Sequence, residues 1–314
     1  MKISFKELLL VFSFSTLTAC STTQSQEDSY TLAATGHGSS VFPLAVPLQV
    51  TYQDEVKLLR INQMIAEKSE VDDKERALML YQRGLIYDRI GMGAHSRYDF
   101  MQAISLDPTL AEAYNSLGVY LTLGGAYNEA FDAFDAAIEL SDDMQYSYLH
   151  RAVTSSIVGR DEVAQEDIKH FYELDTNDPY RILWRYIIDA NADPVMALDE
   201  LKKAKVDSVD DRFAWNIVDV ISGDLSEKVF FDNIANAAEG NEDLAQRLCE
   251  AYYYLGHWHM NNNNLTQGIY YLKLSVATNV KEFIEYKYAI IDLATIQSKL
   301  LKDAEEAQQE QQAL

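Results

Sequence analysis

Cysteine, proline and basic residues are all scarce in this sequence. Two cysteines in 314 residues, Cys20 and Cys249, cannot build a disulfide framework, and their spacing fits no zinc site. Five prolines and 13 glycines are too few for a low-complexity chain or a turn-rich all-β fold. Lysine and arginine number 26 against 49 aspartates and glutamates, a formal net charge of −23. So acidic a surface disfavours nucleic acid and broad contact with an anionic leaflet, and suits partners with basic patches. Beyond the first twenty residues no apolar run is long enough to span a bilayer. Nucleophile elbow, P-loop, HExxH and dinucleotide fingerprints are all missing, so the expectation is a non-enzyme with no cofactor. Of the six histidines only His257 and His259 are close, and two apart on a helix they point away from each other. No metal site is expected from them. His95 and Asp99, four apart, read as a surface ion pair.

What is present begins with an address. Lys2 and Lys6 precede an apolar stretch that opens at Leu8 and runs to Ala19, the size and flanks of a signal peptide. It ends Leu17-Thr18-Ala19-Cys20, which resembles the bacterial lipobox. The resemblance implies cleavage before Cys20 and acylation of its thiol and amine, with several chains giving stable anchoring. Ser21 stands where an Asp would resemble an inner-membrane retention signal, so the outer membrane is the expected destination. Residues 20–45, rich in Ser, Thr, Gln and Gly, read as a lipidated flexible tether. An N-terminal helical segment over 46–76 follows, with Val56, Leu59, Ile61, Met64 and Ile65 near one stripe.

A 34-residue period organises the middle of the chain. Gly84, Gly118 and Ala152 share one column, and Gly91, Gly125 and Gly159 another. Phe100, Phe134 and Ile168 repeat likewise, as do Leu106, Leu140 and Leu174. That period, with small and aromatic columns, resembles the tetratricopeptide repeat, two antiparallel helices A and B per unit. The repeats fall at 77–110, 111–144 and 145–178, with a fourth at 249–282. Between them, 179–248 reads as irregular helical pairs. A capping helix at 283–301 and a polar tail at 302–314 complete an all-α superhelix.

In such an array the A helices line a concave groove with positions 2, 5, 9, 12 and 13 of each repeat. The candidate partner-binding residues are therefore Tyr81, Leu85, Asp88 and Arg89, then Glu112, Asn115, Val119 and Thr122, then Tyr146 and Leu149, flanked by Leu78. Their mixture suits an extended or helical peptide. A Lys–Asn clamp for a peptide carboxylate is not present, since only Asn115 fits it. Cys249 reads as a small buried residue.

Taken with Ala45-Val46-Pro47-Leu48-Gln49, Tyr81-Gln82-Arg83-Gly84-Leu85-Ile86-Tyr87-Asp88, Trp215-Asn216-Ile217-Val218 and Tyr253-Tyr254-Leu255-Gly256, the chain resembles the NlpI family of outer-membrane lipoproteins. The resemblance implies a lipid-anchored, periplasm-facing homodimer. It implies an adaptor that brings the carboxy-terminal processing protease Prc to the peptidoglycan endopeptidase MepS and scaffolds other cell-wall enzymes. Two alternatives fit a lipidated repeat protein: a structural subunit of an outer-membrane assembly complex, and a direct peptidoglycan binder.

Overall fold

The structure, a computed structural model, describes residues 42–67, 71–205 and 210–313, with no side-chain detail for 310–313. The residues read as a signal peptide and lipidated tether, Cys20 among them, lie outside the described residues as far as Val41. Every regular element among the described residues is helical. Helix α1 (Tyr52–Glu67) leads into α2 (Asp73–Arg89) and α3 (Gly93–Leu106), then α4 (Ala111–Leu123) and α5 (Tyr127–Leu140), then α6 (Gln145–Ile157) and α7 (Asp161–Glu173). Next come α8 (Pro179–Ala190), α9 (Pro194–Ala204), α10 (Ala214–Ser222), α11 (Glu227–Ala237), α12 (Asn241–Asn261), α13 (Leu265–Ala277) and α14 (Ile284–Ala313).

The 34-residue columns have visible physical causes. Gly91, Gly125 and Gly159 sit in the A-to-B turns with φ of +81°, +72° and +72°, a region where a side chain is strained. A Cβ on Gly84 would lie 2.5 Å from the Phe100 ring, and one on Gly118 would meet Phe134 in the same way. The third repeat carries Ala152 where the facing residue is Ile168, which has no ring to intrude. Helices α8 and α9 start by a different device. Each has proline at its first position after an aspartate cap: Asp178 accepts from Tyr180 N at 2.9 Å, and Asp193 from Val195 N at 3.0 Å.

The core is unevenly distributed. Hairpins from α6 onward share one large cluster that includes Trp184, Tyr252, Tyr253, Tyr254, Tyr271 and Tyr288, all buried. The first two repeats have small separate cores, built on Ala77, Ala103 and Ala113 and on Phe134 with Val119. Two ionic pairs sit in the repeat register. Arg83 grips Asp99 with two bonds of 2.6 and 2.8 Å, and Arg151 grips Asp167 with bonds of 2.7 and 2.6 Å. Both aspartates are buried. The corresponding positions of the second repeat hold Leu117 and Ala133. The expected His95–Asp99 surface pair is therefore corrected: Asp99 is inside and bound to Arg83, while His95 lies against the Tyr87 ring at 5.1 Å.

Both ends of the described chain differ from the sequence reading. Residues 42–45, assigned to the tether, lie on the body. Phe42 sits 5.3 Å from the Tyr271 ring, and Pro43 O accepts from Tyr252 OH at 2.6 Å. Asn241 then bonds both Val46 backbone groups at 2.7 and 2.9 Å, and Leu48 N donates to Thr278 O at 3.0 Å. The other end, divided at 301 into cap and tail by the sequence, is one helix, α14. Its residues 298–309 are exposed throughout.

Candidate partner-binding groove

The groove positions do not share one environment. Position 2 stays open: Leu78 is 45% exposed, Glu112 is exposed and Tyr146 is 54% exposed. Leu85 at position 9 of the first repeat is also open, at 41%. Tyr81 is half-buried, its ring 5.7 Å from Phe100, and burial pushes its hydroxyl pKa up. Asn115 is partly buried and accepts from Ser147 Oγ at 2.8 Å, linking α4 to α6. Val119, Thr122 and Leu149 are buried, and Thr122 shares a 2.9 Å hydrogen bond with Thr154. These three present no surface to a partner, which corrects their place in the groove.

Asp88 and Arg89 are taken up by other parts of the chain. Asp88 accepts from Tyr120 OH and, at 2.9 Å, from Lys287 Nζ on α14. Arg89 meets Asp54 at 3.1 Å, Glu282 at 2.9 Å and Glu242 at 3.3 Å. It thus joins α2 to α1, to α12 and to the turn before α14. The neighbouring cleft, about 70 Å³, is lined by Leu48 to Thr51 of the N-terminal strap, the non-helical residues 42–51, with Arg89, Lys281 and Glu282.

Val119 is covered by its own hairpin and Thr122 by α6, and α14 covers a further part of the groove. Its first turns cross the A helices, with Lys287 on Asp88 of α2 and Tyr288 OH 2.8 Å from His150 Nδ1 of α6. His150 is buried, and desolvation together with the Lys287 charge pushes its pKa down to about 3, so it is neutral. The groove is consequently covered around Asp88 and His150, while Leu78, Leu85 and Tyr146 stay open. What remains is an apolar and aromatic row of Leu78, Tyr81, Leu85 and Tyr146, with Glu112 beside it.

The remaining candidates settle simply. His257 contacts Asp292 at 3.0 Å and His259 contacts Glu227 at 3.2 Å, so each imidazole has its own carboxylate. No metal-binding group of three or more ligating residues occurs among the described residues. No described helix is long and apolar enough to cross a membrane. Cys249 is buried, which pushes its thiol up to about 12, and its sulfur lies 3.5 Å from Ser275 Oγ. The Arg–Asp pairs went unread in the sequence. The signal was there: an Arg at position 7 and an Asp sixteen residues later, in the first and third repeats.

No family model matches the chain. Among solved structures it is similar to YrrB, a TPR protein with an unusual peptide-binding site, at 14% identity and a TM-score of 0.38, over 74% of this chain and 98% of that one. It is also similar to the APC/C hetero-tetramer Cut9–Hcn1, at 17% identity and a TM-score of 0.45, over 74% of this chain and 45% of that one. The chain thus spans less than half the length of the second structure's chain.

Proposed function

We propose that this chain is a membrane-tethered protein-binding scaffold that concentrates a periplasmic processing protease of the Prc type and its cell-wall hydrolase substrate. Lipidation at Cys20 would hold it at the outer membrane, and a second copy would complete a homodimer. The observation that carries the binding role is the open row on the A helices. Leu78, Leu85 and Tyr146 are large apolar or aromatic side chains, more than two-fifths exposed, on a surface that neighbouring helices otherwise close. Rows of this kind take an extended or helical segment of another protein. Holding enzyme and substrate on one body raises their effective concentration without new chemistry. The protease and hydrolase come from the resemblance to the NlpI family.

The test uses purified components: a Prc-like protease degrading a MepS-like hydrolase, with and without this protein. The expected result is faster turnover with the protein present, lost in a Leu85→Asp, Tyr146→Ala variant that unfolds like the parent. An unchanged rate on addition of the parent protein would overturn the adaptor role. A faster rate untouched by the variant would move the binding surface elsewhere.

A further inference from the structure

The start of α14 carries a second feature, independent of what the groove binds. Glu285, in the first turn of α14, is buried at 6% exposure and accepts from Tyr254 OH at 2.9 Å. Tyr254 lies on α12 one helical turn beyond Glu250, so the two share a face. Glu250 in turn accepts from Tyr180 OH of α8 at 2.9 Å. Two carboxylates therefore lie at the junction of α8, α12 and α14, each held by a tyrosine hydroxyl, Glu285 buried and Glu250 half-buried, with the charge of Glu285 acting on Glu250. Neither makes an ion pair among the described residues.

The nearby cations are engaged elsewhere. Arg247 is bound to Asp243 at 2.8 Å, and Lys287 to Asp88 at 2.9 Å. On its own helix Glu250 faces Arg247 and Asp243, with Tyr180 of α8 and Glu285 of α14 opposite. Glu285 bonds Tyr254 of α12, and it feels the charges of Lys287, two residues on in α14, and of Glu250, with Cys249 of α12 also in reach. Its charge also reaches Tyr180 of α8, Tyr146 of α6, Tyr253 of α12 and Tyr288 of α14. Two like charges at such a site, without a committed counter-ion, cannot both be ionised cheaply. The arrangement calls for one proton between them.

We infer that the first turn of α14 is a proton-controlled clasp between the first hairpin and the last: a proton held by the Glu250–Glu285 pair keeps it docked, and release of that proton to solvent frees it. Three contacts within one helical turn make the clasp cooperative. Glu285 reaches α12, Lys287 reaches α2 and Tyr288 reaches α6, so loosening one loosens all. The directions agree. Burial, then the neighbouring Glu285 charge, pushes Glu250 up to about 8, and burial raises Glu285 as well.

The sign follows from linkage. The docked state keeps its proton up to about pH 8 at Glu250, whereas an undocked carboxylate loses it near the ordinary value of 4.5. Between those limits undocking releases a proton, so its equilibrium constant rises as pH rises, by about tenfold per pH unit at most. Above them it levels off.

Hydrogen exchange of residues 284–296 in the full chain, corrected for the chemical rate, reads this directly between pH 6 and 8. Opening of this segment should rise by about tenfold or more across that interval. Glu250→Gln, which copies the protonated form, should slow exchange at pH 8 below that of the parent. The double variant Glu250→Gln, Glu285→Gln should remove the pH dependence while leaving exchange of α4 and α5 unchanged. A parent protein with flat exchange, a slope kept in the double variant, or faster exchange at pH 8 in Glu250→Gln would each overturn the clasp. Since no partner is present, the outcome is separate from that of the protease assay.

Discussion

The repeat register allows a double-mutant experiment in which the protein supplies its own control. Arg83 and Asp99 occupy positions 7 and 23 of the first repeat, where the second repeat has Leu117 and Ala133. Backbone surroundings match, since Gly84 packs on Phe100 as Gly118 packs on Phe134. Arg83 is 19% exposed and Asp99 1%, with Nε–Oδ2 at 2.6 Å. Arg83→Leu strands a buried carboxylate and should cost about 3–5 kcal/mol. It also removes the 3.0 Å bond to Asn62 of α1. Asp99→Ala leaves a cation that can turn toward water, so about 1–2 kcal/mol is expected. The double variant reproduces the second repeat and should fall within about 1 kcal/mol of the parent, because a buried ion pair gains little over an apolar replacement. Urea denaturation of the four proteins gives the cycle, and hydrogen exchange in α2 and α3 localises it. If the double variant were as unstable as the two single losses added together, the pair would be more than a substitute for apolar packing, and the reasoning would fail.

Other expectations follow from particular contacts. Gly118→Ala should lose about 1–3 kcal/mol, because its methyl meets the Phe134 ring. Gly125→Ala has open space but a φ of +72°, so its cost, about 1–2 kcal/mol, is purely conformational; thermal denaturation of both variants checks this. Phe42→Ala should unseat the strap from the slot beside Phe231, Tyr270 and Tyr271, at a cost of about 1–3 kcal/mol for a half-buried ring. Exchange at Leu48 N should then rise in parallel. His150 is neutral in the fold, with its pKa down to about 3, while an unfolded imidazole takes a proton below about 6.5. Its contribution is therefore whole above 6.5 and lost as pH falls from 6.5 toward 3. Subtracting the urea midpoints of His150→Gln from those of the parent should show a difference that shrinks on acidification.

Sequence alone determined the parts that are local. The 34-residue period, the left-handed glycines at 91, 125 and 159, and the pairing of small with large residues are written within one hairpin. Each depends on neighbours fewer than forty residues away. Groove residues were read from the same register, and the register does place them on the A helices. What it could not tell is which of them reach solvent. For Asp88 that was decided by α14, whose Lys287 and Tyr288 settle on Asp88 and on neighbouring His150, 199 and 138 residues earlier in the chain. No period encodes such a contact, because α14 is not a repeat and its docking residues occur once. The strap is similar: Phe42 has no pattern around it, and its slot exists only after α11 and α13 have packed. The carboxylates of half-buried Glu250 and buried Glu285 show the same limit most sharply. In the sequence they are two among 49 acidic residues, and only the folded junction of three helices takes their water away and gives them a proton to share.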